Sequence, residues 1–591
     1  MSATSQFNEV TERNVNQWLH GRYDEETKAT IRTLIKENPQ EITDAFYKTL
    51  SFGTGGLRAI MGVGTNRMNI YTIQATTQGL ANYLKKQPNR PEKLSVFIGY
   101  DSRQNSRLFA EETAKVFAGN GFYVYLFRDI RPTPLVSFGC RLKKCCAAIM
   151  ITASHNPPEY NGYKVYWSDG AQILPPHDKA IIAEVQKIND ISNVKKTQTL
   201  DSALIEIIDN EVDEAYFKAI VPLQNYPEEN RKFGSTLKIV YTSLHGTGIT
   251  VMPKALAAWG FSNVVYVEKQ IIPDGHFTTA PIPNPEDPSA LKLGIETLEA
   301  SKGDLLLATD PDADRVAVAV QHAGKIQLLT GNQTACLCLY HLCEAMSKQQ
   351  TMPKKAAFIK TIVTTELFKV IAHAYQATCF DVLTGFKYIA EKIQLWEQDP
   401  SGYQYIFGGE ESFGYLLGTL TRDKDAILSS ALICEVALHA KQQGKTLIDL
   451  LHDIYNKYGI FLEDLISINF EESKAGKESM EASMNKLRSN PPIKINGLLV
   501  VAIEDYLTSI KTFLPSEKTE PLALPKSDAL LFWLEDESKL IVRPSGTEPK
   551  IKLYCGVVNK KFKTIEQGLS DAKEHVSGLL KSMASKLKEK R

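Results

Sequence analysis

Short β-rich apolar runs alternate with longer helical stretches along most of the chain. SVFIGYD, YVYLFRD and AAIMITAS, between Ser95 and Ser154, read as strands ending in polar loops, with helices over 105–120 and 133–144 between them. This βαβ grammar predicts a buried mixed or parallel sheet. It restarts twice. LKIVYTSLHGTG, NVVYVE and DLLLATDPDADR form a second set, with helices from Val251 and Ser289. AAFIKTIV, CFDVLTGF and YQYIFGGEES form a third, with helices near Leu367, Ile389 and Ala426. In each set polar, glycine-bearing sequence directly follows a strand's C-terminal end, which is where open α/β sheets bind ligands.

The last part of the chain follows another pattern. Residues 465–470, 493–503, 530–534, 540–543 and 550–557 are strand-like, accompanied by helical stretches over 477–488 and 564–588. The expected fold is therefore α/β: three related α/β domains with mixed sheets, then a C-terminal α+β domain. The expected boundaries are 1–225, 226–330, 331–458 and 459–591. Polar or proline-rich stretches at 224–232 and 512–526 read as a linker and a long loop.

Composition narrows the partners. The 591 residues exceed the ~250–300 at which single cores stop growing, consistent with several domains. Lys+Arg and Asp+Glu balance at 68 each, so no global basic field exists to hold nucleic acid or an anionic membrane. Anion binding must come from local sites, which suits a small phosphorylated ligand. The N-terminal MSATSQFNEVTERNVNQW is polar and lacks an apolar signal core, and no run approaches the ~20 apolar residues of a membrane helix. The nine cysteines are scattered; Cys145/Cys146 and Cys336, Cys338, Cys343 lack the spacing of a paired zinc knuckle and read as reduced core thiols. A cytoplasmic location follows.

Five stretches carry candidate chemistry. In ITASHNPPEYNGYKVYW, Ser154 falls on the turn after a strand, and Asn156-Pro157-Pro158 stops further regular structure, so an exposed serine is expected. A bare serine needs a base or metal to act as a nucleophile; His155 is adjacent, and an Asn161-Gly162 turn is expected to bring Lys164 back. In DPDADR, Asp310, Asp312 and Asp314 alternate after a buried strand. Carboxylates so close repel unless a cation neutralises them, and hard oxygen donors favour Mg²⁺ or Ca²⁺. In RPSGTEPKIKLY, Ser545, Gly546 and Thr547 have the composition of an anion nest, flanked by Arg543 and Lys550. GGEESFGY offers Glu410 and Ser412 to sugar hydroxyls. FGTGGLRAIMGVGTNRMN offers Arg58 to an anion but lacks the strand–turn–helix setting of a dinucleotide fingerprint. GYDSRQNS (Asp101, Ser102, Arg103), TGFKYIAEK (Gly385, Lys387) and SLHGTG (His245) are further polar strand ends.

Taken together and in this order, TASHNP, DPDADR, GEES and RPSGTEP resemble the α-D-phosphohexomutase superfamily over nearly the whole chain. The resemblance implies four domains around a central cleft, each contributing one loop. It implies that Ser154 is a phosphoserine whose phosphate joins Asp310, Asp312 and Asp314 around Mg²⁺. Lys164, His155 and Lys387 become candidates for proton transfer, with a lowered lysine pKa expected for a lysine base. Arg58 and Arg315 would support the phosphoserine, Glu410 and Ser412 would read the sugar, and Arg543, Ser545, Gly546 and Thr547 would hold the phosphate that is not reacting. A sugar 1,6-bisphosphate is implied as intermediate, with sugar phosphates as the partners and a monomer or weak homo-oligomer as the assembly. Gly55-Gly56 and Phe413 depart from the commonest hexomutase pattern. TGFKYIAEK and the long N-terminal extension are most similar to the subgroup containing phosphopentomutases and many bacterial phosphoglucomutases. The Glu410–Ser412 pair ranks phosphoglucomutase activity first, ahead of phosphopentomutase and phosphomannomutase. A metal-dependent phosphatase would not need the RPSGTEP loop, and a non-enzymatic sugar-phosphate binder would not keep Ser154 and the triad.

Overall fold

The computed structural model describes residues 7–50, 56–88, 93–188, 190–471, 474–545 and 549–588. They fall into two compact units: Met1–Leu329 with Ala390–Gly402 and Phe413–His439, and Thr330–Ile389 with Tyr403–Ser412 and Ala440–Arg591.

The first unit opens with three helices, Glu9–His20, Glu25–Glu37 and Pro39–Phe46, in the extension that the apolar pattern left without elements. Each is capped by the side chain of Asn8, Asp24 or Asn38 accepting a first-turn N–H. They close on a small core of Val15, Trp18, Ile31, Ile35, Ile42 and Phe46. The next domain carries a mixed sheet in the order Leu57–Ile60, Tyr160–Trp167, Ala147–Ile151, Ser95–Tyr100, Tyr123–Phe127, Ile205–Ile208. Ser95–Tyr100 and Ala147–Ile151 are buried at every position, as the continuous apolar runs require, and pair in parallel. Tyr160–Trp167 runs antiparallel to both its neighbours.

The second α/β domain has the order Lys325–Leu329, Val316–His322, Leu305–Thr309, Ile239–Thr242, Val264–Tyr266, parallel among the last three and antiparallel before them. The stretch at 224–232, expected as a linker, holds the helix Pro227–Phe233, started by Pro227 at its first position and tied down where Asn230 Nδ2 donates to buried Glu435.

In the second unit, Thr378–Val382, Ala356–Thr361 and Gln404–Glu410 pair in parallel. The C-terminal sheet is antiparallel, in the order Ile460–Asn469, Lys550–Asn559, Lys539–Pro544, Leu530–Leu534, Leu498–Asp505, Ile510–Phe513, Thr519–Pro521. Two expectations change here. The 493–503 strand is two strands, Lys494–Ile495 and Leu498–Asp505, folded back at Asn496 and Gly497, both with positive φ. The 512–526 stretch is not a plain loop, because it contributes Thr519–Pro521 as an edge strand. The helices Lys474–Ser489 and Ile565–Lys588 accompany this sheet. No helix among the described residues is long and apolar enough to cross a membrane.

Candidate active site

The Ala147–Ile151 strand delivers Thr152, Ala153 and Ser154 to its C-terminal end. Ser154 is not presented to solvent as expected: it is 1% exposed. The reason is tertiary. Its hydroxyl donates to Asp310 Oδ2 at 2.8 Å, so the acidic loop of the next domain covers it. Ser154 holds φ 55°, a left-handed conformation unusual for a non-glycine residue, and its N–H donates to Thr152 Oγ1 at 2.7 Å. His155 Nδ1 lies 3.2 Å from Ser154 Oγ. Burial, then the charges of Arg315 and Arg58, push the His155 imidazole well below its ordinary value, so it is neutral.

Lys164 arrives differently from expectation. Asn161 and Gly162 do not form a turn; they lie inside the Tyr160–Trp167 strand, which returns antiparallel along Ala147–Ile151 and places Lys164 opposite Met150. Gly162 is needed there for close approach, since a Cβ would come 2.5 Å from the Thr152 carbonyl oxygen. Lys164 Nζ donates to Asp312 Oδ2 at 2.7 Å and Asp314 Oδ2 at 3.0 Å, with all three side chains buried. Burial alone would lower the Lys164 pKa, but the two carboxylates outweigh it and raise it.

The acidic loop is turned. Ala313 N–H donates to the Asp310 carbonyl, and Asp310 Oδ1 accepts the N–H groups of Asp314 and Arg315 at 3.1 and 3.0 Å. The three carboxylates offer oxygens within 4.8 Å of one another, all buried. SLHGTG braces the loop: Thr247 N–H and Oγ1 donate to the Pro311 carbonyl at 2.7 and 2.9 Å. Burial, then the charges of Asp312 and Asp314, push Asp310 well above the carboxylate range, whereas Lys164 and other cations overcome burial to hold Asp314 down. Among the described residues, Asp312 Oδ1 and Asp314 Oδ1 are buried oxygens with no hydrogen-bond partner. Orphaned acceptors on a convergent carboxylate set are what a hard divalent cation satisfies, so these residues fit a metal.

Several members of this site were not read from sequence. Thr133 Oγ1 donates to Asp312 Oδ2 at 2.8 Å, and Lys424 Nζ lies 3.1 Å from Asp314 Oδ2. Lys424 is steadied by Asp423, whose Oδ2 accepts from Tyr166 Oη at 2.9 Å and Gln172 Nε2 at 2.6 Å. The available signal was TRDKDA, a charged run between the apolar GYLLG and AILSSALI, which is buried throughout. Arg58 Nη1 donates to Asn156 Oδ1 at 3.2 Å, and Arg315 Nη1 donates to Glu286.

The first unit thus gathers Ser154, His155, Lys164, Arg58, Arg315 and the three aspartates. The remaining candidates lie on the second unit. Glu410 is buried, and its Oε1 accepts the Gly385 N–H at 3.0 Å, tying the GEES loop to TGFKYIAEK. Lys387 is buried beside Tyr388, its Nζ 5.5 Å from the ring centre, and Ser412 is half-buried. Arg543 and Ser545 are half-buried at the end of the Lys539–Pro544 strand, where Ser545 N–H donates to the Lys550 carbonyl at 2.8 Å. Gly546 and Thr547 lie outside the described residues, as does Gly55.

Three family models match the chain: phosphoglucomutase/phosphomannomutase alpha/beta/alpha domain I over residues 49–192, domain II over 214–324 and domain III over 330–458. A phosphoglucomutase of Staphylococcus epidermidis is 36% identical over 560 residues, covering 94% of this chain and 99% of that protein. One from Staphylococcus aureus is 38% identical over 532 residues, covering 90% and 93%. Among solved structures, a putative phosphomannomutase from Thermus thermophilus aligns with a TM-score of 0.67 at 20% identity, over 92% of this chain and 100% of that one. The open form of Paramecium pp63/parafusin aligns at 0.64 and 16%, over 90% and 95%. Both structures bear on the fold alone. Fold and relatives define the class, an isomerase of the phosphohexomutase type. The chain belongs to the phosphoglucomutase/phosphomannomutase family.

Proposed function

We propose that the chain interconverts glucose 1-phosphate and glucose 6-phosphate through phosphorylated Ser154 and a glucose 1,6-bisphosphate intermediate. The phosphoryl group passes from Ser154 to the free hydroxyl of the sugar monophosphate. The bisphosphate then returns its other phosphoryl group to the serine, and the net change is isomerisation. The observation that carries this reading is the buried Ser154–Asp310 contact at 2.8 Å, which sets the one serine of the TASHNP loop against the carboxylate triad.

Asp310, Asp312 and Asp314 would hold Mg²⁺. When bound, that ion offsets charge on the phosphoryl group in transfer. The protein's own groups do the rest. Lys164, which donates to Asp312 and Asp314, is the proposed proton-transfer group beside the serine. His155 is the neutral base within reach of Ser154 Oγ. Burial of Ser154 keeps water from its phosphate, which favours transfer to a sugar over hydrolysis. Glu410 and Ser412 are the proposed readers of sugar hydroxyls, and Arg543, Ser545, Gly546 and Thr547 the proposed grip on the second phosphate. The curated relatives named phosphoglucomutase support glucose as the sugar. Comparison of kcat/KM for glucose 1-phosphate, mannose 1-phosphate and ribose 1-phosphate tests the choice. Glucose is expected to lead, and a ribose preference would replace this reading with a phosphopentomutase.

A further inference from the structure

Ser154 sits in a left-handed conformation at φ 55°, which a non-glycine residue keeps only where its surroundings impose it. One side chain binds four carbonyls of the loop that carries it. The Arg103 guanidinium donates through Nη1 to the Pro157 carbonyl at 2.8 Å and the Tyr160 carbonyl at 3.1 Å, and through Nη2 to the carbonyls of Ser154 and Asn156. Four carbonyls of the 154–160 loop are therefore read by one planar group, a geometry that an ammonium cannot reproduce. Beneath it, Arg103 Nε lies 3.4 Å from Asp101 Oδ2, both side chains fully buried.

A strap from the second domain packs against the guanidinium. Phe277 lays its ring 4.8 Å from the Arg103 guanidinium carbon and is itself fully buried. Two residues earlier, Gly275 runs so close to the Arg103 segment that a Cβ would come 2.6 Å from the Gln104 nitrogen. His276 hydrogen-bonds Gln104 Nε2 at 2.8 Å. The strap is rooted on His245, whose ring nitrogens bond the Ile272 carbonyl at 2.9 Å and Thr279 Oγ1 at 2.8 Å. Asp274 folds the strap by accepting the N–H groups of His276 and Thr278.

We propose that Arg103 is a positioning residue for phosphoryl transfer: clamped between Asp101 and Phe277, it holds the 154–160 loop so that Ser154 Oγ faces Asp310. The strap residues Gly275–Phe277 thereby couple the two domains that own the serine and the carboxylates. The inference rests on Ser154 being the phosphate carrier and extends it to how that serine is aimed. Arg103 acts through loop backbone, not through the Ser154 side chain.

Arg103→Lys and Phe277→Leu test it, with steady-state kinetics on glucose 1-phosphate, the rate of Ser154 phosphorylation by glucose 1,6-bisphosphate, and thermal melts. A sub-ångström misaiming of the serine is expected to lower kcat about 100-fold for Arg103→Lys and about 10-fold for Phe277→Leu. KM is expected to stay within about twofold in both, because loop backbone, not sugar, is what Arg103 holds. Phosphorylation of Ser154 slows in parallel with kcat. Where Arg103→Lys does not fold, the Phe277→Leu result decides. Folded variants with wild-type kcat, or losses confined to KM, overturn the inference. Ser154→Ala run alongside separates the two readings: if it stays active, the phosphate-carrier reading itself fails; if it is dead while Arg103→Lys and Phe277→Leu are fully active, only the positioning role falls.

Discussion

Ser154 and Asp310 stand 156 residues apart in sequence, yet the serine hydroxyl donates to the aspartate at 2.8 Å inside the protein. Each lies just past the C-terminal end of a buried strand in a different α/β domain, so the contact exists only when the two sheets present those ends to each other. A carboxylate pushed far above its ordinary range by burial and by two neighbouring carboxylates is the counterpart the serine meets.

A cation at the triad would relieve that repulsion. Exhaustive chelation is therefore expected to abolish isomerisation, and Mg²⁺ to restore it. Replacing Asp310 by Ala is expected to cost about 100-fold or more in kcat/KM. Activity assayed after dialysis against EDTA, with and without added Mg²⁺, checks both; undiminished turnover without metal would contradict the metal role.

Lys164 is the triad's resident countercharge. Lys164→Met leaves Asp312 and Asp314 short of a buried partner, and removal of one member of such a group destabilises by about 3–5 kcal/mol. The metal-free variant is expected to melt well below the wild type, and Mg²⁺ to recover more stability in the variant than in the wild type. Thermal melts with EDTA or Mg²⁺ read this directly, and equal melting temperatures without metal would refute it.

Asp425 gives the fold a pH signature. Full burial, against hydrogen bonds from Leu428, Tyr216 and Ile427, raises its pKa from 3.8 to about 6. The folded state thus binds the proton more tightly than the unfolded state. The associated stability is fully present below the unfolded value and is lost as pH rises through about 6, a change of about 3 kcal/mol. Asp425→Asn can keep the contacts without the charge. Its stability relative to the wild type is expected to rise between about pH 4 and 7, as measured by denaturant melts; a difference independent of pH would count against it.

The cysteines test the packing of both units. All nine are buried and unpaired, and burial pushes the Cys145 and Cys146 thiols to about 12 and 11. Native protein is expected to react with a thiol reagent over hours and denatured protein within minutes, releasing nine equivalents. Rapid labelling of several thiols in the native state would show that the cores are open.

The alternation of apolar runs and polar strand ends revealed the three α/β sets and the loops that carry Ser154 and the aspartates. It did so because a buried parallel strand leaves a continuous apolar signature and its ligand-binding end an abrupt polar one. The errors came where tertiary contact overrides local chemistry. Asn161-Gly162 has turn composition, yet the Leu57–Ile60 strand pairs with it, and glycine is there to let backbones touch. Ser154 ends a strand next to two prolines and reads as exposed, but the partner that buries it is encoded 156 residues away. Thr133 and Tyr166 were silent because nothing in their spacing links them to the triad, and TRDKDA marked Asp423 and Lys424 as a charged run without naming the aspartate they serve. Helix signals in the N-terminal extension were present as Asn8, Asp24 and Asn38 caps, but their apolar positions close mainly on one another.

The most direct test is the phosphorylation of Ser154 itself. Intact-mass and phosphopeptide analysis of protein incubated with glucose 1,6-bisphosphate is predicted to find a single phosphate on Ser154, lost in Ser154→Ala together with isomerase activity. A phosphate carried elsewhere, or full mutase activity in Ser154→Ala, would contradict the account.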